Sequence, residues 1–235
     1  MIATVHQPDF LPWCGFFNKI AKSDCWVVLD HVENNPRDAA FWGRRVKLLV
    51  NGQPNWLSIT INKPNMPGVI GVPIREMTIN STDIKTNVNC IKTIEMAYKK
   101  APFFQEYFHL VENYFADTEC NLMLRNMSFI VNVMSLLKMN TKIVYSSTLN
   151  TQTKSTELLI ELLQKIEADT YLCGGGAQGY LKEELFVQNS INLQYNNFKH
   201  PVYPQFKVSE FVPGLSILDA LFMVGEETVS SWMVN

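Results

Sequence analysis

The chain has 235 residues, of which 47% are hydrophobic and 18% charged, and its formal net charge at pH 7 is -2. This composition is typical of a globular protein with a substantial core, and it excludes a disordered chain and a fibrous repeat. The small negative charge gives no general attraction to nucleic acid or anionic lipid. A chain of this length fits one large domain, and we expect residues 1–235 to form a single α/β domain.

The first predicted element is a short apolar strand, residues 2–5, which delivers His6 to its end. A stiff loop with two prolines follows, and residues 15–21 can form a helix. The next apolar run, residues 25–29, ends at Asp30 and completes a βαβ unit. Because ligands gather at the carboxyl ends of parallel strands, His6 is the first candidate for a site residue. A lone histidine packed on neighbouring aromatic rings is an equally good interpretation.

The next segment predicts a loop and a hairpin. Residues 32–45 are polar and irregular, which favours a loop over the crevice. An Asn-Gly pair at 51–52 supplies the positive φ angles of a tight turn, so residues 46–50 and 56–61 predict a β-hairpin. We expect the connection between the two strands of this hairpin to be longer than two residues. Residues 69–79 predict one further short strand.

Residues 81–140 change to helical spacing and predict an insertion of three helices within the domain. The first helix has an N-cap at or just before Asp83. The second and third cover residues 103–115 and 122–137.

After the insertion the α/β pattern resumes. A strand at 142–145 precedes an amphipathic helix at 155–168, and a strand at 169–173 leads through glycines into another helix. Residues 191–195 predict a last strand, and residues 216–224 a last apolar helix. The alternation predicts a three-layer, mostly parallel, Rossmann-like sheet with a β-hairpin excursion and the helical insertion.

The sequence carries no sign of a membrane span, a signal peptide, a disulfide framework or a metal site. No apolar stretch approaches the roughly 20 residues that span a bilayer, and the N-terminus lacks a charged and then apolar pattern. We therefore expect a cytoplasmic protein without stable membrane insertion. The five cysteines form no C-x-x-C pair and the four histidines occur singly, so no bound metal is expected.

Three segments offer donors to an anion. Gly174 and Gly176 follow a strand, where backbone amides can approach a phosphate, although a simple turn into the next helix explains them as well. Lys154 and Ser155 open the amphipathic helix. The free amides at its N-terminus can bind an anion, and an ordinary N-cap at Thr153 or Ser155 is an equally good interpretation. Arg44 offers a bidentate fork for phosphate or carboxylate.

A second stiff loop begins at His200 and carries Tyr203 and Gln205, which suggests a site shaped by rigid backbone. Asp219 lies in an otherwise apolar helix, where a carboxylate must be paired, as an anchor or as a catalytic group. A Ser-His-Asp triad can be written from Ser146 or Ser147, His6 or His200, and Asp30 or Asp219, but no nucleophile-elbow sequence supports it.

Several ordered motifs together resemble the WbqC-like protein family over nearly the whole chain. They are His6-Gln7-Pro8, Leu11-Pro12-Trp13-x-Gly15-Phe16-Phe17-x-Lys19-Ile20, and the segments 24–30, 97–104, 168–172, 174–181, 200–205 and 211–222. Gly43, Cys173 and Met223 depart from the residues usual in that family. These departures concern the neighbourhoods of Arg44, of the glycine turn and of the last helix.

The resemblance implies a role in bacterial O-antigen, lipopolysaccharide or related surface-polysaccharide biosynthesis. It implies an acyl or aminoacyl transferase, with glycine as the named group, that acts on an amino group of a nucleotide-linked sugar. We expect a small-molecule sugar nucleotide as the partner, no nucleic acid, and ATP or an activated acyl donor as the co-substrate.

We expect the site at the strand ends, with His6, Asp30 and His200 as catalytic residues and His6 as the general base for the amine. The expected substrate-binding residues are Gln7, Trp13, Lys19, Arg44, Lys154, Ser155, Gly174, Gly176, Tyr180, Tyr203 and Gln205. Among these, Arg44 and Lys154 would bind phosphate or carboxylate, and the glycine amides would hold a diphosphate or an oxyanion.

Two other functions stay open. The order of strand, histidine loop, helix and strand is similar to that of nucleotidylyltransferases and pantothenate synthetase, which suggests an ATP-dependent ligase that forms an acyl-adenylate. The His-x-x-His signature of those enzymes is absent, so the analogy concerns the fold alone. A sugar-nucleotide-binding or assembly protein without catalysis is the third interpretation.

Overall fold

The computed structural model describes residues 1–35, 38, 40–62, 71–177, 179 and 181–233. The strands are β1 (Ile2–His6), β2 (Cys25–Val28), β3 (Glu33–Asn34), β4 (Arg45–Val50), β5 (Gln53–Ser58), β6 (Val72–Pro73), β7 (Lys142–Tyr145), β8 (Thr170–Gly174) and β9 (Asn192–Asn196). The helices are α1 (Cys14–Ala21), α2 (Ile84–Tyr98), α3 (Phe104–Tyr107), α4 (His109–Ala116), α5 (Leu122–Leu136), α6 (Ser155–Lys165), α7 (Glu183–Gln188) and α8 (Ile217–Ser231).

The centre of the molecule is a five-stranded, all-parallel sheet in the order β7-β2-β1-β8-β9. Counted along the chain, these five strands run 3-2-1-4-5, which is the Rossmann order. Alternate residues of β2 face opposite layers. Trp26 and Val28 pack into the larger core with α1, α8 and the inserted helices, whereas Cys25 and Val27 pack into a smaller core with α6 and α7. The predicted three-layer α/β fold is confirmed.

The hairpin excursion consists of β4 and β5, and its connection is shorter than predicted. Asn51 and Gly52 alone form the turn, with φ angles of 52° and 77°, as a two-residue turn matched to strand twist requires. The prediction was wrong because a proline usually interrupts a strand, so the sequence favours a strand that begins after Pro54. Pro54 instead belongs to β5, where it pairs with Leu49 of β4. The outer edge of β5 needs no backbone donor, so proline is tolerated there.

Other boundaries also differ from the predictions. The segment 32–45, predicted as a loop, contains β3, which pairs with β6 in an antiparallel ladder. The predicted strand 69–79 reduces to β6 and a 3₁₀ turn at Ile74–Glu76, and its first two residues lie outside the described residues. The segment 103–115 divides into α3 and α4. The last helix extends to Ser231 across Gly225, whose φ is 75°.

The glycine segment does not open a helix. After β8 the chain forms a 3₁₀ turn at Gly175–Ala177, and α7 begins only at Glu183. Backbone amides of the turn, and not a helix dipole, are therefore what this segment can offer to a ligand. No helix among the described residues is long and apolar enough to cross a membrane.

Asp219 anchors α8 to three other segments. Its side chain is fully buried. Oδ1 accepts a hydrogen bond from Tyr98 Oη at 2.7 Å, and Oδ2 accepts bonds from Tyr203 Oη at 2.6 Å and Gln205 Nε2 at 3.2 Å. Tyr98 Oη also accepts the backbone N–H of Leu49 at 2.9 Å. We call these residues the Asp219 cluster, and it ties together α8, α2, the hairpin and the loop after His200.

Replacing Tyr98 with Phe should destabilise the protein strongly. The change removes one donor from the buried Asp219 and leaves the buried N–H of Leu49 without its acceptor, at a cost of about 2–3 kcal/mol. Thermal unfolding should show a melting temperature lower by about 5–10 °C. Tyr195→Phe is the matched control, because the hydroxyl of Tyr195 bonds to Glu183 at an exposed position. An equal shift in both variants would contradict the anchoring role of the Asp219 cluster.

Candidate functional site

A cavity of about 600 Å³ opens at the carboxyl ends of β1 and β8. The sheet order reverses between these neighbours, because the chain moves outward from β1 to β2 and β7 and then returns to β8 on the other side. Crevices at such reversals are the usual ligand sites of open α/β sheets. We call this the first cavity, and its walls include His6, Trp13, Gly15, Phe16, Lys19, Gly174, Gly175, Gly176, Asn196, Asn197 and Phe198.

Lys19 brings a buried positive charge to the first cavity. The residue is 4% exposed, and within the described residues its ammonium makes no hydrogen bond and has no carboxylate within 4 Å. Burial lowers the pKa of Lys19 to about 8, against the attraction of the more distant Asp9. A buried cation without a close partner costs free energy, which an anion bound in the cavity would offset.

Gly174 and Gly176 expose backbone to the same cavity. A Cβ built on either residue meets no atom of the described residues within 4 Å, and neither residue has the positive φ that favours glycine. Neither backbone conformation nor packing against the described residues therefore requires glycine at these positions. A side chain there would project into open space at the cavity, so glycine keeps the backbone accessible to a ligand.

His6 lies at the end of β1 and borders this cavity with a neutral ring. Nδ1 lies 2.9 Å from the backbone oxygen of Gln7. Because a carbonyl only accepts, this contact assigns the proton to Nδ1 and leaves a lone pair on Nε2. Burial and the charge of Lys19 lower the pKa of His6 to about 3. The ring also packs edge-on against Phe16, at 5.1 Å between centroids. His6 therefore both borders the cavity and packs on an aromatic neighbour, the two surroundings that the sequence suggested for it.

A second cavity, of about 340 Å³, lies on another side of His6 and Trp13. Its walls are His6, Asp9, Trp13, Trp42, Lys47, Pro213 and Gly214. Trp13 lines both cavities because its indole lies on Gly15, where a Cβ would come within 2.2 Å of the ring. His6 and Trp13 therefore form the boundary between the two cavities.

Asp9 supplies the second cavity with a buried carboxyl group. The residue is 8% exposed. Its Oδ2 lies 3.8 Å from His6 Nδ1, whose proton already points to Gln7. Burial raises the pKa of Asp9 to about 7, while the charge of Lys19 acts in the opposite direction. The two cavities thus carry buried charges of opposite sign on either side of His6.

Five of the predicted site residues line the first cavity: His6, Trp13, Lys19, Gly174 and Gly176. Gln7 lies beside them. Its backbone oxygen holds His6, and its side-chain Oε1 accepts a bond from Asn34 Nδ2 at 3.3 Å. Tyr180 lies outside the described residues.

Asp30 belongs to a different polar cluster, where β2 and β7 end. Its carboxylate accepts bonds from Ser146 Oγ at 2.8 Å and from the backbone N–H and Oγ of Ser147 at 2.8 and 2.6 Å. Ser146 Oγ also lies 2.6 Å from Nδ1 of His31. The serine therefore stands between carboxylate and imidazole, whereas a catalytic triad places the histidine in the middle. The structure does not assemble the triad that the sequence allows.

The loop after His200 supports the site from outside both cavities. His200 packs among aromatic rings, including Trp13 at 6.4 Å and Phe211 at 5.3 Å between centroids. Tyr203 is buried, and its hydroxyl is committed to the Asp219 cluster. Gln205 also belongs to that cluster and exchanges two further hydrogen bonds with the backbone of Val212. These polar groups hold protein segments in place.

The other predicted anion-binding residues do not line either cavity. Arg44 is half-buried in the 3₁₀ turn at Trp42–Arg44. Lys154 and Ser155 are exposed at the start of α6, which begins without a side-chain cap. These three residues are therefore absent from the walls of both cavities.

Sequence reasoning did not identify five residues that line the cavities: Asp9, Trp42, Lys47, Asn196 and Asn197. Three of them carried a usable signal. Asp9 follows His6 by three residues in the same stiff loop, Asn196 ends the last strand of the parallel sheet, and Asn197 follows it. Trp42 and Lys47 reach the site through the position of the hairpin, which no local pattern encodes.

Comparison with known proteins identifies relatives of this chain. The family model described as the WbqC-like protein family matches residues 7–231. An uncharacterized protein of Mycobacterium tuberculosis is 29% identical to the chain over 225 residues, which cover 94% of this chain and 93% of that protein. No solved structure matches the chain significantly.

Anion binding in the first cavity should weaken as the pH rises through about 8. Lys19 carries its charge below its lowered pKa of about 8 and loses it above, so the attraction for an anion is present at pH 6 and lost at pH 10. Sulfate is a suitable probe because its own charge is constant over this range. Amide NMR shifts of Gly174–Gly176 during a sulfate titration measure the affinity. Lys19→Met should abolish the shifts, whereas Lys154→Met should retain both the shifts and their pH dependence.

Asp9→Asn should stabilise the free protein, and more so at high pH. The pKa of Asp9 rises from 3.8 to about 7 on folding, so ionisation opposes folding above pH 7 and not below pH 4. His6, Lys19 and Lys47 face the same region in both proteins. The melting temperature of Asp9→Asn should exceed that of the parent by several degrees at pH 8, at about 2–4 °C per kcal/mol, and by much less at pH 4. A lower melting temperature at pH 8 would show that Asp9 is paired.

Proposed function

The chain belongs to the WbqC-like protein family, and from this premise we propose that it transfers an acyl or aminoacyl group, such as glycyl, to an amino group of a nucleotide-linked sugar. The product would serve bacterial O-antigen or other surface-polysaccharide biosynthesis. The observation that supports this proposal best is the meeting of two cavities of opposite buried charge at His6. A site of this form suits a sugar nucleotide, because its diphosphate and its amino group carry charges of opposite sign.

The first cavity suits the diphosphate of the sugar nucleotide. Its volume of about 600 Å³ falls within the range of roughly 300–1,000 Å³ that small-molecule sites occupy. Lys19 supplies a buried positive charge, and the backbone at Gly174–Gly176 supplies amide donors to phosphate oxygens. With the diphosphate there, the sugar would extend past His6 and bring its amino group to the boundary of the two cavities.

His6 would accept the proton that the amine loses. In the transfer, the amine nitrogen attacks the acyl carbon and a C–N bond forms, while the bond from that carbon to the leaving group breaks and the leaving group takes the electron pair. The proton of the amine passes to the lone pair on Nε2 of His6, which returns it to the leaving group.

Binding of the first substrate should make His6 a better base. In the free protein the charge of Lys19 is one of the causes that hold the pKa of His6 near 3, where an imidazole is a weak base. A diphosphate bound to Lys19 offsets this charge and raises the pKa of His6 toward the range in which general bases work. This coupling would limit proton transfer to the substrate-bound protein.

An ATP-dependent ligase is the second candidate. The Rossmann strand order and the position of the first cavity at its point of reversal are the arrangement in which nucleotides bind. Lys19 would then contact the phosphates of ATP, and the carboxylate of an acid would attack the α-phosphorus with release of pyrophosphate. The two candidates differ in their products.

Calorimetry with UDP-, dTDP- and GDP-linked amino sugars tests the proposal. We expect one class to bind, and Lys19→Met to weaken it by at least about tenfold, the loss that 1.4 kcal/mol represents. With a matching acyl donor, His6→Ala should slow the transfer by about 10²–10⁴-fold, the contribution typical of a general base, and should change the affinity little. The exposed His109→Ala is the matched control.

Three other results would contradict the transferase. Pyrophosphate release from ATP that depends on Lys19 would identify the ligase. Binding of a sugar nucleotide without turnover, together with a His6→Ala effect on affinity alone, would identify a binding or assembly protein. If none of the sugar nucleotides binds, the proposal that the first cavity holds their diphosphate is wrong.

A further inference from the structure

The carboxyl group of Asp9 lacks the hydrogen bonds that the other buried aspartates of the described residues have. Asp30 and Asp219 are as buried as Asp9 or more so, and each accepts three hydrogen bonds from protein donors. For Asp9, the described residues provide only His6 Nδ1 at 3.8 Å, a distance too long for a hydrogen bond. Within the described residues, protein donors therefore bind the carboxylates of Asp30 and Asp219, whereas the carboxyl group of Asp9 borders the second cavity without such a donor.

The walls around Asp9 are aromatic. The indoles of Trp13 and Trp42 line the second cavity with it, and Trp42 is 44% exposed although it is a large apolar residue. Its ring packs against Trp56, at 5.3 Å between centroids. A carboxylate beside indole rings is a setting in which proteins bind an ammonium group, because both the charge and the rings attract a cation.

The positive groups near Asp9 do not neutralise it at close range. Lys19 lies beyond 4 Å, and His6 is neutral. Lys47, on β4, lines the same cavity, but its ammonium lies over the ring of Trp56, 5.1 Å from the centroid. Within the described residues Asp9 therefore has no hydrogen-bonded counter-ion.

We propose that the second cavity binds the protonated primary amino group of a monosaccharide-sized substrate, with Asp9 as its counter-ion and the indoles of Trp13 and Trp42 as its walls. The inference deepens the proposed function, on which it rests, by naming the residue that recognises the amine. A volume of about 340 Å³ is at the lower end of the range for small-molecule sites, as a single sugar ring requires. Before the transfer the ammonium would give one proton to the carboxylate of Asp9, and the neutral amine that results, which is the nucleophile, would face the lone pair of His6.

The pH dependence follows from the groups that face Asp9, which are His6 on β1, Lys19 on α1 and Lys47 on β4. Burial raises the pKa of Asp9 to about 7, so the carboxylate that attracts an ammonium is fully formed only above that pH. Amine affinity should rise between pH 5.5 and 7.5.

The experiment compares D-glucosamine, D-glucose and N-acetyl-D-glucosamine by NMR titration of the complete chain. The three sugars share a ring, and only glucosamine carries an ammonium group. We expect glucosamine to bind at least tenfold more tightly than the other two at pH 7.5, and Asp9→Asn to remove this difference. Glu184→Gln, an exposed acidic position on α7, is the matched control and should preserve it.

Equal affinity of the parent protein for the three sugars would overturn the inference, as would the absence of binding by all three. A glucosamine preference that persists in Asp9→Asn would also overturn it, and a cooperative thermal unfolding transition no lower than that of the parent protein excludes misfolding as the reason for a loss. Failure of the proposed function is a separate result. If no sugar nucleotide binds but the Asp9-dependent preference for glucosamine remains, the amine site stands and the assignment of the first cavity falls.

Discussion

The site depends on two buried charges that the described protein leaves without close partners. Lys19 and Asp9 lie on either side of His6, in different cavities, and within the described residues neither has a hydrogen bond or an oppositely charged group within 4 Å. Each charge loses part of its hydration, which costs free energy that protein hydrogen bonds offset at Asp30 and Asp219. A bound ligand of opposite charge would offset this cost. Buried charges without protein partners are features that proteins keep mainly at functional sites.

The rest of the molecule holds these charges apart. The end of β1 places His6 between the two cavities, and Gly15 lets the indole of Trp13 lie at their boundary. The Asp219 cluster supports the second cavity from two directions. Through Gln205 it fixes the backbone at Val212, next to the cavity residues Pro213 and Gly214, and through Tyr98 it fixes Leu49 in the strand that carries Lys47.

The sequence predicts the strands of the sheet well, because four of the five are largely apolar runs of strand length and β9 alternates polar and apolar residues. It also predicts His6, Lys19 and the glycines, which lie at strand ends or in the helix that follows. Asp30, Tyr203 and Gln205 look the same in sequence, as polar residues in stiff loops or at strand ends. Their partners come from distant segments such as Ser147 and Asp219, so only the folded structure shows that these groups are already satisfied.

Nitrogen NMR of the His6 ring is the measurement that tests the central claim most directly. If His6 is buried beside the charge of Lys19, the ring of the free protein stays neutral from pH 5 to pH 8, with the proton on Nδ1 and the lone pair on Nε2, and an anion added to the first cavity raises the pKa. Titration of His6 near its ordinary value of 6.5 in the free protein would contradict this account, because it would show that neither burial nor the charge of Lys19 acts on the ring.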